Sequence, residues 1–373
     1  MRIVIVSHYF APHTGGVETV VAAHARGLKE AGHDVVIVTS KLDGDRREEA
    51  QDGVRVVRVA CSNILEERLG VPVPIVALGM QRAIELERPD IVIAHGHAYI
   101  GSAHAARAAR RLDVPFVVVQ HNPFVEYPAP LELVEHTVDR TMGRWVLGAA
   151  DLVVCVSAHV AKYVHEIAPK APTAVVYNGV DTTRFFPKAP NARGGRVRVA
   201  TLRRLVERQG IDTLIKAWRD GALGEMADLT IGGAGRERER LEKLAAGDES
   251  IRFVGRVPDE ELVEFYHDCD VFVLPTNSGE GFGLVAAEAL VCGRMVIATD
   301  EGGAKEVVRP GVNGMHVPAS DPGALAAALR LACDDYEMRT RMSEAAALCG
   351  FSWEKSCEDL LCALQSVSAA SVL

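Results

Sequence analysis

The 373-residue chain has no excess of positive charge: 41 Lys and Arg stand against 50 Asp and Glu, a net of −9. Nucleic acid is thereby excluded as the main partner, because neutralising its phosphates takes a basic face. Paired cysteines are missing too. None of the eight forms Cys-x-x-Cys, and Cys61, Cys155, Cys269, Cys292 and Cys333 lie in or beside apolar segments. Buried, reduced thiols fit this better than a disulfide framework or a zinc site. No stretch approaches the ~18 apolar residues that span a bilayer. The apolar part of Met1-Arg-Ile-Val-Ile-Val-Ser7 is too short for a signal segment and reads as a strand. The expectation is a cytoplasmic chain, at most peripheral at the cytoplasmic membrane face.

What is present is a repeated alternation of apolar strands and helices. Strands are expected at Arg2–Val6, Asp34–Thr39, Val54–Val59, Ile91–Ala94, Phe116–Gln120 and Leu152–Val156. A second series follows at Val197–Thr201, Leu229–Ile231, Arg252–Val254, Val271–Leu274 and Met295–Ala298. Continuous apolar strands separated by helices imply parallel sheets covered on both faces. A polar Pro/Gly stretch, Pro187 to Gly195, has the composition of a boundary between the two series. The fold class is therefore α/β, with two doubly wound, Rossmann-like domains facing a cleft.

Residues 270–290, Asp-Val-Phe-Val-Leu-Pro-Thr-Asn-Ser-Gly-Glu-Gly-Phe-Gly-Leu-Val-Ala-Ala-Glu-Ala-Leu, hold the densest chemistry. An apolar strand stops at Pro275, and helical spacing starts at Leu284. Between them, Gly279, Gly281 and Gly283 let a backbone approach a ligand closely. The first turn of the helix offers unpaired N–H groups and a positive dipole end, a setting for phosphate. Glu280 precedes this turn and Glu288 falls in its second. A carboxylate accepts two hydroxyl protons, which suits the diol of a sugar or ribose. A buried turn flanked by two solvated glutamates fits the stretch equally well.

Glu-x7-Glu enclosing Gly-Phe-Gly-Leu resembles the signature of the retaining glycosyltransferase family 4, of the two-domain GT-B fold. The resemblance covers nearly the whole chain and is strongest over residues 175–320. It implies that Glu280 holds the transferring sugar, Glu288 the ribose, and Gly281, Phe282, Gly283 and Leu284 the phosphates. It places the Gly15-Gly16 loop against the donor diphosphate and His121, at a strand end, near the donor sugar. Gly233, in Ile231-Gly-Gly-Ala-Gly235, belongs to a turn near the nucleotide; Arg256 or Val257, after Phe253-Val-Gly, faces the base. Arg203-Arg-Leu-Val-Glu-Arg-Gln-Gly210 departs from the commoner Gly-Arg-Leu-x-x-x-Lys-Gly. Arg204 matches the family arginine, Arg203 replaces the glycine, and Gln209 stands where the lysine is expected. Arg208 or Arg203 is the expected replacement cation.

The resemblance also implies domains at 1–178, on the acceptor side, and 179–352, binding the nucleotide sugar, with a helix at 353–373 packing back on the first. Val175-Val-Tyr-Asn-Gly-Val-Asp181 is the expected hinge. The implied reaction is a retaining transfer from a UDP- or GDP-linked sugar to an acceptor hydroxyl, with Glu280, His121 and Arg204 as the catalytic set. No cofactor and no metal are expected. His95-Gly-His97 with His104 and His121 lacks a carboxylate or thiolate at ligand spacing, and Asp268-Cys-Asp270 precedes its strand rather than following it. The acceptor, lipid-linked or not, is unidentified. A sugar-nucleotide epimerase or hydrolase of the same fold, and a non-catalytic sugar-nucleotide-binding protein, remain as alternatives. Arg107, Arg110 and Arg111 form a basic helix face, solvated or turned to an anionic partner. The glutamate-rich segments Ile64–Leu69 and Met80–Arg88 lack the basic polar face of a membrane-binding helix.

Overall fold

A computed structural model describes residues 1–13, 15–42, 44–62, 75–76, 79–123, 131–189 and 194–370. The segment Ile64–Leu69 and the centre of the linker 187–195 lie outside them. The chain divides into two compact units, Met1–Asn178 with Trp353–Leu373, and Gly179–Ser352.

In the first unit the strands are β1 (Arg2–Val6), β2 (Asp34–Lys41), β3 (Glu48–Gln51), β4 (Val54–Ser62), β5 (Ile75–Val76), β6 (Ile91–His95), β7 (Phe116–Gln120), β8 (Leu152–Cys155) and β9 (Thr173–Val175). They form one sheet of order β3-β4-β2-β1-β6-β7-β8-β9, with β5 on β4. Every pairing from β4 to β9 along this path is parallel; β3 and β5 pair antiparallel to β4. The strand β3 was not expected from its polar sequence Glu-Glu-Ala-Gln. Its cause is the turn: Asp52 and Gly53 both take positive φ, 49° and 72°, the geometry of a two-residue hairpin that Asp-Gly favours. Ile3 and Ile5 of β1 face a core shared with helix α1 (Gly16–Glu30), through Val21, Ala25 and Leu28, and with the final helix, through Leu360, Leu364 and Val367.

The second unit carries β10 (Val197–Leu202), β11 (Ala227–Gly232), β12 (Ile251–Gly255), β13 (Val271–Leu274), β14 (Met295–Thr299) and β15 (Gly314–Val317). They are parallel in the order β12-β11-β10-β13-β14-β15. Trp218, fully buried on the helix after β10, donates Nε1–H to Ser250 Oγ at 2.9 Å. In a parallel sheet all strands end on the same edge. The loops after β10, β11 and β13 are therefore brought together at the carboxyl edge of this sheet. The loops after β1, β6 and β7 share the corresponding edge of the first.

Among the described residues, no helix is long and apolar enough to cross a membrane.

Candidate active site

The β13 loop leads into helix α2 (Leu284–Val291), whose N-cap is Gly283 at φ +92°; no side chain caps its first turn. Phe282, 3% exposed, is a buried anchor, packed edge-on against Phe351 at 5.6 Å. Glu280 stands before the turn. Its Oε2 accepts from Arg203 Nη2 at 2.5 Å and from Thr276 Oγ1 at 3.4 Å, and Arg203 Nη2 also lies 3.0 Å from Thr276 Oγ1. Both charged side chains are about nine-tenths buried, at 10% and 12% exposure. Glu288, one face along, accepts on Oε2 from Tyr266 Oη–H at 2.6 Å. Burial pushes the Glu288 carboxyl up to about 7, against the hydrogen bond from Tyr266 and the charge of Arg184. Tyr266 is fully buried, and burial together with the Glu288 charge pushes its phenol well above the usual range.

The two carboxylates are thus built alike. Each commits Oε2 to the protein, and among the described residues each leaves Oε1 without a hydrogen bond. The two-oxygen grip on a diol expected from the sequence meets carboxylates with one oxygen already engaged.

The loop after β10 rests on the loop after β13: Asn277 N–H donates to Arg208 O at 2.8 Å. Arg204 is exposed and forms no ion pair among the described residues. Arg203, expected as a possible diphosphate contact, instead has its guanidinium on Glu280. Gln209, in the lysine position, is 5% exposed, with Oε1 buried and unpartnered. Gly233 takes φ +119°, and a Cβ there would lie 1.8 Å from Arg203 O. The space its missing side chain leaves is filled by the chain's own β10 loop. Arg256 is exposed and Val257 half-buried just after β12.

In the first unit, Gly15 caps α1, and a Cβ on it would lie 2.5 Å from Glu18 Oε2; Gly16 has open space. Glu18, in the first turn of α1, folds back over the Gly-Gly loop and pairs with His13 Nδ1 at 2.8 Å. Burial raises this carboxyl, but the His13 hydrogen bond and Glu18's own backbone N–H outweigh it and hold it below the ordinary range. A carboxylate therefore lies beside the amides assigned to a diphosphate. His121 follows β7 and meets His95, at the end of β6, through Nε2···Nδ1 at 2.9 Å. His97 goes elsewhere, to Gln120 Oε1 at 2.9 Å and Asp139 Oδ1 at 3.0 Å. Among the described residues no set of three or more His, Cys, Asp or Glu is arranged to hold a metal. Asp270 receives the Arg198 N–H at 2.8 Å at the start of β13, a structural role.

Sequence reasoning missed Tyr266 and Thr276, and weighed His95 only as a metal ligand. Thr276 had a signal, as a polar residue just past an apolar strand. Tyr266 had none, since its hydroxyl reaches Glu288 across 22 residues.

The sequence profile described as "Glycosyl transferases group 1" matches residues 182–348, and the one described as "Glycosyltransferase Family 4" matches residues 14–184. The chain is 30% identical to a D-inositol 3-phosphate glycosyltransferase of Geodermatophilus obscurus, over 95% of this chain and 85% of that protein. It is 28% identical to a GDP-mannose-dependent alpha-mannosyltransferase of Mycobacterium tuberculosis, over 97% and 95% of the two. In fold it matches a sucrose-phosphate synthase from Thermosynechococcus elongatus with a TM-score of 0.81, covering 99% of each chain at 21% identity. With its two Rossmann-like units and this relationship along nearly its full length, the chain belongs to glycosyltransferase family 4 and is a GT-B glycosyltransferase.

Proposed function

We propose that the chain transfers a sugar, with retention, from a nucleotide-diphosphate sugar to an acceptor hydroxyl. The observation that carries this is the matched pair Glu280 and Glu288 on either side of the 281–284 turn, each oriented through Oε2 with Oε1 left to accept. Glu280 Oε1 takes a hydroxyl of the sugar, Glu288 Oε1 one of the ribose, and the α2 N-terminus the phosphates between them. Arg204 supplies the free cation, and Arg208 adds to it. In the transfer, the bond from the anomeric carbon to the diphosphate breaks and a bond to the acceptor oxygen forms on the same face. The acceptor proton passes to the departing phosphate oxygen, and no metal is needed to take up its charge.

A guanosine diphosphate sugar is the first donor to test, given the GDP-mannose-dependent relative, with UDP-sugars next. A thermal-shift panel of GDP-, UDP- and ADP-sugars identifies the donor, since a ligand at 100 times its Kd stabilises by about 2.7 kcal/mol. NMR of the product then reads the anomer. Inversion would refute the retaining mechanism, and donor consumption without acceptor would replace transfer by epimerisation or hydrolysis.

A further inference from the structure

His95 and His121 are both buried, at 1% and 7% exposure. Their ring centroids lie 5.0 Å apart with planes 23° from parallel. A face-on stack, such as His8 on Tyr99, brings the centroids to 4.0 Å. The two histidines instead meet edge to edge through the 2.9 Å nitrogen contact. Burial first, and then neighbouring histidines, hold both rings neutral: His121 is lowered to about 3 and His95 well below its ordinary value.

A neutral imidazole carries one proton on one of its two nitrogens. One proton must lie between His95 Nδ1 and His121 Nε2, so only two arrangements exist. If His121 donated from Nε2, His95 would carry its own proton on Nε2. That nitrogen is buried with no partner among the described residues. The ring of His24, 5.8 Å from His95 and tilted 52° to it, has its own Nδ1 buried and unpartnered among the described residues; its Nε2 lies 3.5 Å from Ser356 Oγ. A buried N–H donor without an acceptor is rarer than an acceptor without a donor. The opposite arrangement avoids it: His95 donates Nδ1–H to His121 Nε2, and the His121 proton goes to Nδ1.

We infer that His95 is a positioning residue that sets the tautomer of His121, fixing it as an Nδ1–H donor. Given the proposed transfer, on which this part rests, His121 at the carboxyl end of β7 gives a hydrogen bond to a substrate oxygen. It cannot act as a general base, because its only lone pair is occupied by His95.

The test is a long-range proton–nitrogen correlation spectrum of histidine-labelled full-length protein at neutral pH, which distinguishes the tautomers directly. His121 is expected as the Nδ1–H form in the wild type. It should stay so in His95→Asn, whose amide N–H can stand in for Nδ1–H, and change in His95→Leu, which cannot donate. Turnover should be close to wild type in His95→Asn and at least tenfold lower in His95→Leu. An Nε2–H form of His121 in the wild type, or no change in His95→Leu, overturns the inference. If the spectra behave as expected but turnover is equal in all three, the tautomer stands and the part of His121 in the transfer falls.

Discussion

The Glu288 carboxyl gives the sharpest prediction. With Oε2 taken by Tyr266, a proton on Glu288 would sit on Oε1, the atom proposed to accept the ribose hydroxyl, and its value of about 7 puts that titration inside the working range. At pH 6 only about one-tenth is ionised, so donor affinity should fall about tenfold from its plateau above pH 8, or about 1.4 kcal/mol. The ligand should be the intact nucleotide sugar, a diphosphate diester with no group of its own titrating there. Tyr266→Phe removes the one hydrogen bond that favours the charged form. A hydrogen bond to a charged group is worth about 1.5–3 kcal/mol, so the midpoint should rise by about one to two pH units. The sign for folding is opposite to that for binding. The folded value lies above the ordinary 4.5, so the stability from holding the proton is full below about 4.5 and is lost as pH rises through about 7. The span is on the order of 3 kcal/mol at most, since the carboxylate keeps some contact with water. Calorimetric titration of donor from pH 5.5 to 8.5 reads the binding side. A flat affinity profile, or a midpoint that falls in Tyr266→Phe, refutes the reasoning.

Glu280→Ala should lower turnover by on the order of 100-fold, the loss of one preorganised group; a wild-type rate would remove Glu280 from the reaction. Arg203→Gly restores the commoner family residue but leaves Glu280 without its cation, so turnover should fall about tenfold with melting temperature reduced. If it rises, the guanidinium is competing with the sugar rather than orienting its acceptor. Gln209→Lys places a cation at a site 5% exposed; it should lower the melting temperature without ligand and recover part of it with bound donor. Gly233→Ala should destabilise by more than about 2 kcal/mol in a denaturant titration, because its Cβ would lie 1.8 Å from Arg203 O at φ +119°. An unchanged midpoint would mean the β10 loop gives way freely.

The sheets were readable because parallel strands buried on both faces become unbroken apolar runs, and Ile3-Val-Ile-Val and Val271-Phe-Val-Leu are such runs. The strand β3 was not, since Glu48–Gln51 has no apolar pattern and pairs only because Asp52-Gly53 turns the chain. Glu280 and Glu288 were readable from their spacing around the glycines. Their partners were not: Arg203 reaches Glu280 across 77 residues and Tyr266 reaches Glu288 across 22. Local spacing holds no trace of such contacts. Glu18 lies in the first turn of α1, where its charge suits the helix end, and it also pairs with His13 across the Gly15-Gly16 loop.

The departure at residues 203–210 acquires a physical meaning from those partners. One cation is absent at Gln209 and one is added at Arg203, so the number of positive charges is unchanged while their place differs. The added guanidinium sits on Glu280, at the sugar end, where its charge is matched by the carboxylate. In the proposed site, phosphate charge is left to Arg204 and to backbone dipoles, which carry no compensating side chain. At the other end Glu288 is oriented by a phenol, which fixes its direction without supplying charge. On the proposed reading, the two ends of the donor are held by carboxylates that are each oriented through Oε2 but differ in electrostatics. A change in pH should act through the ribose end, on donor affinity, by way of Glu288.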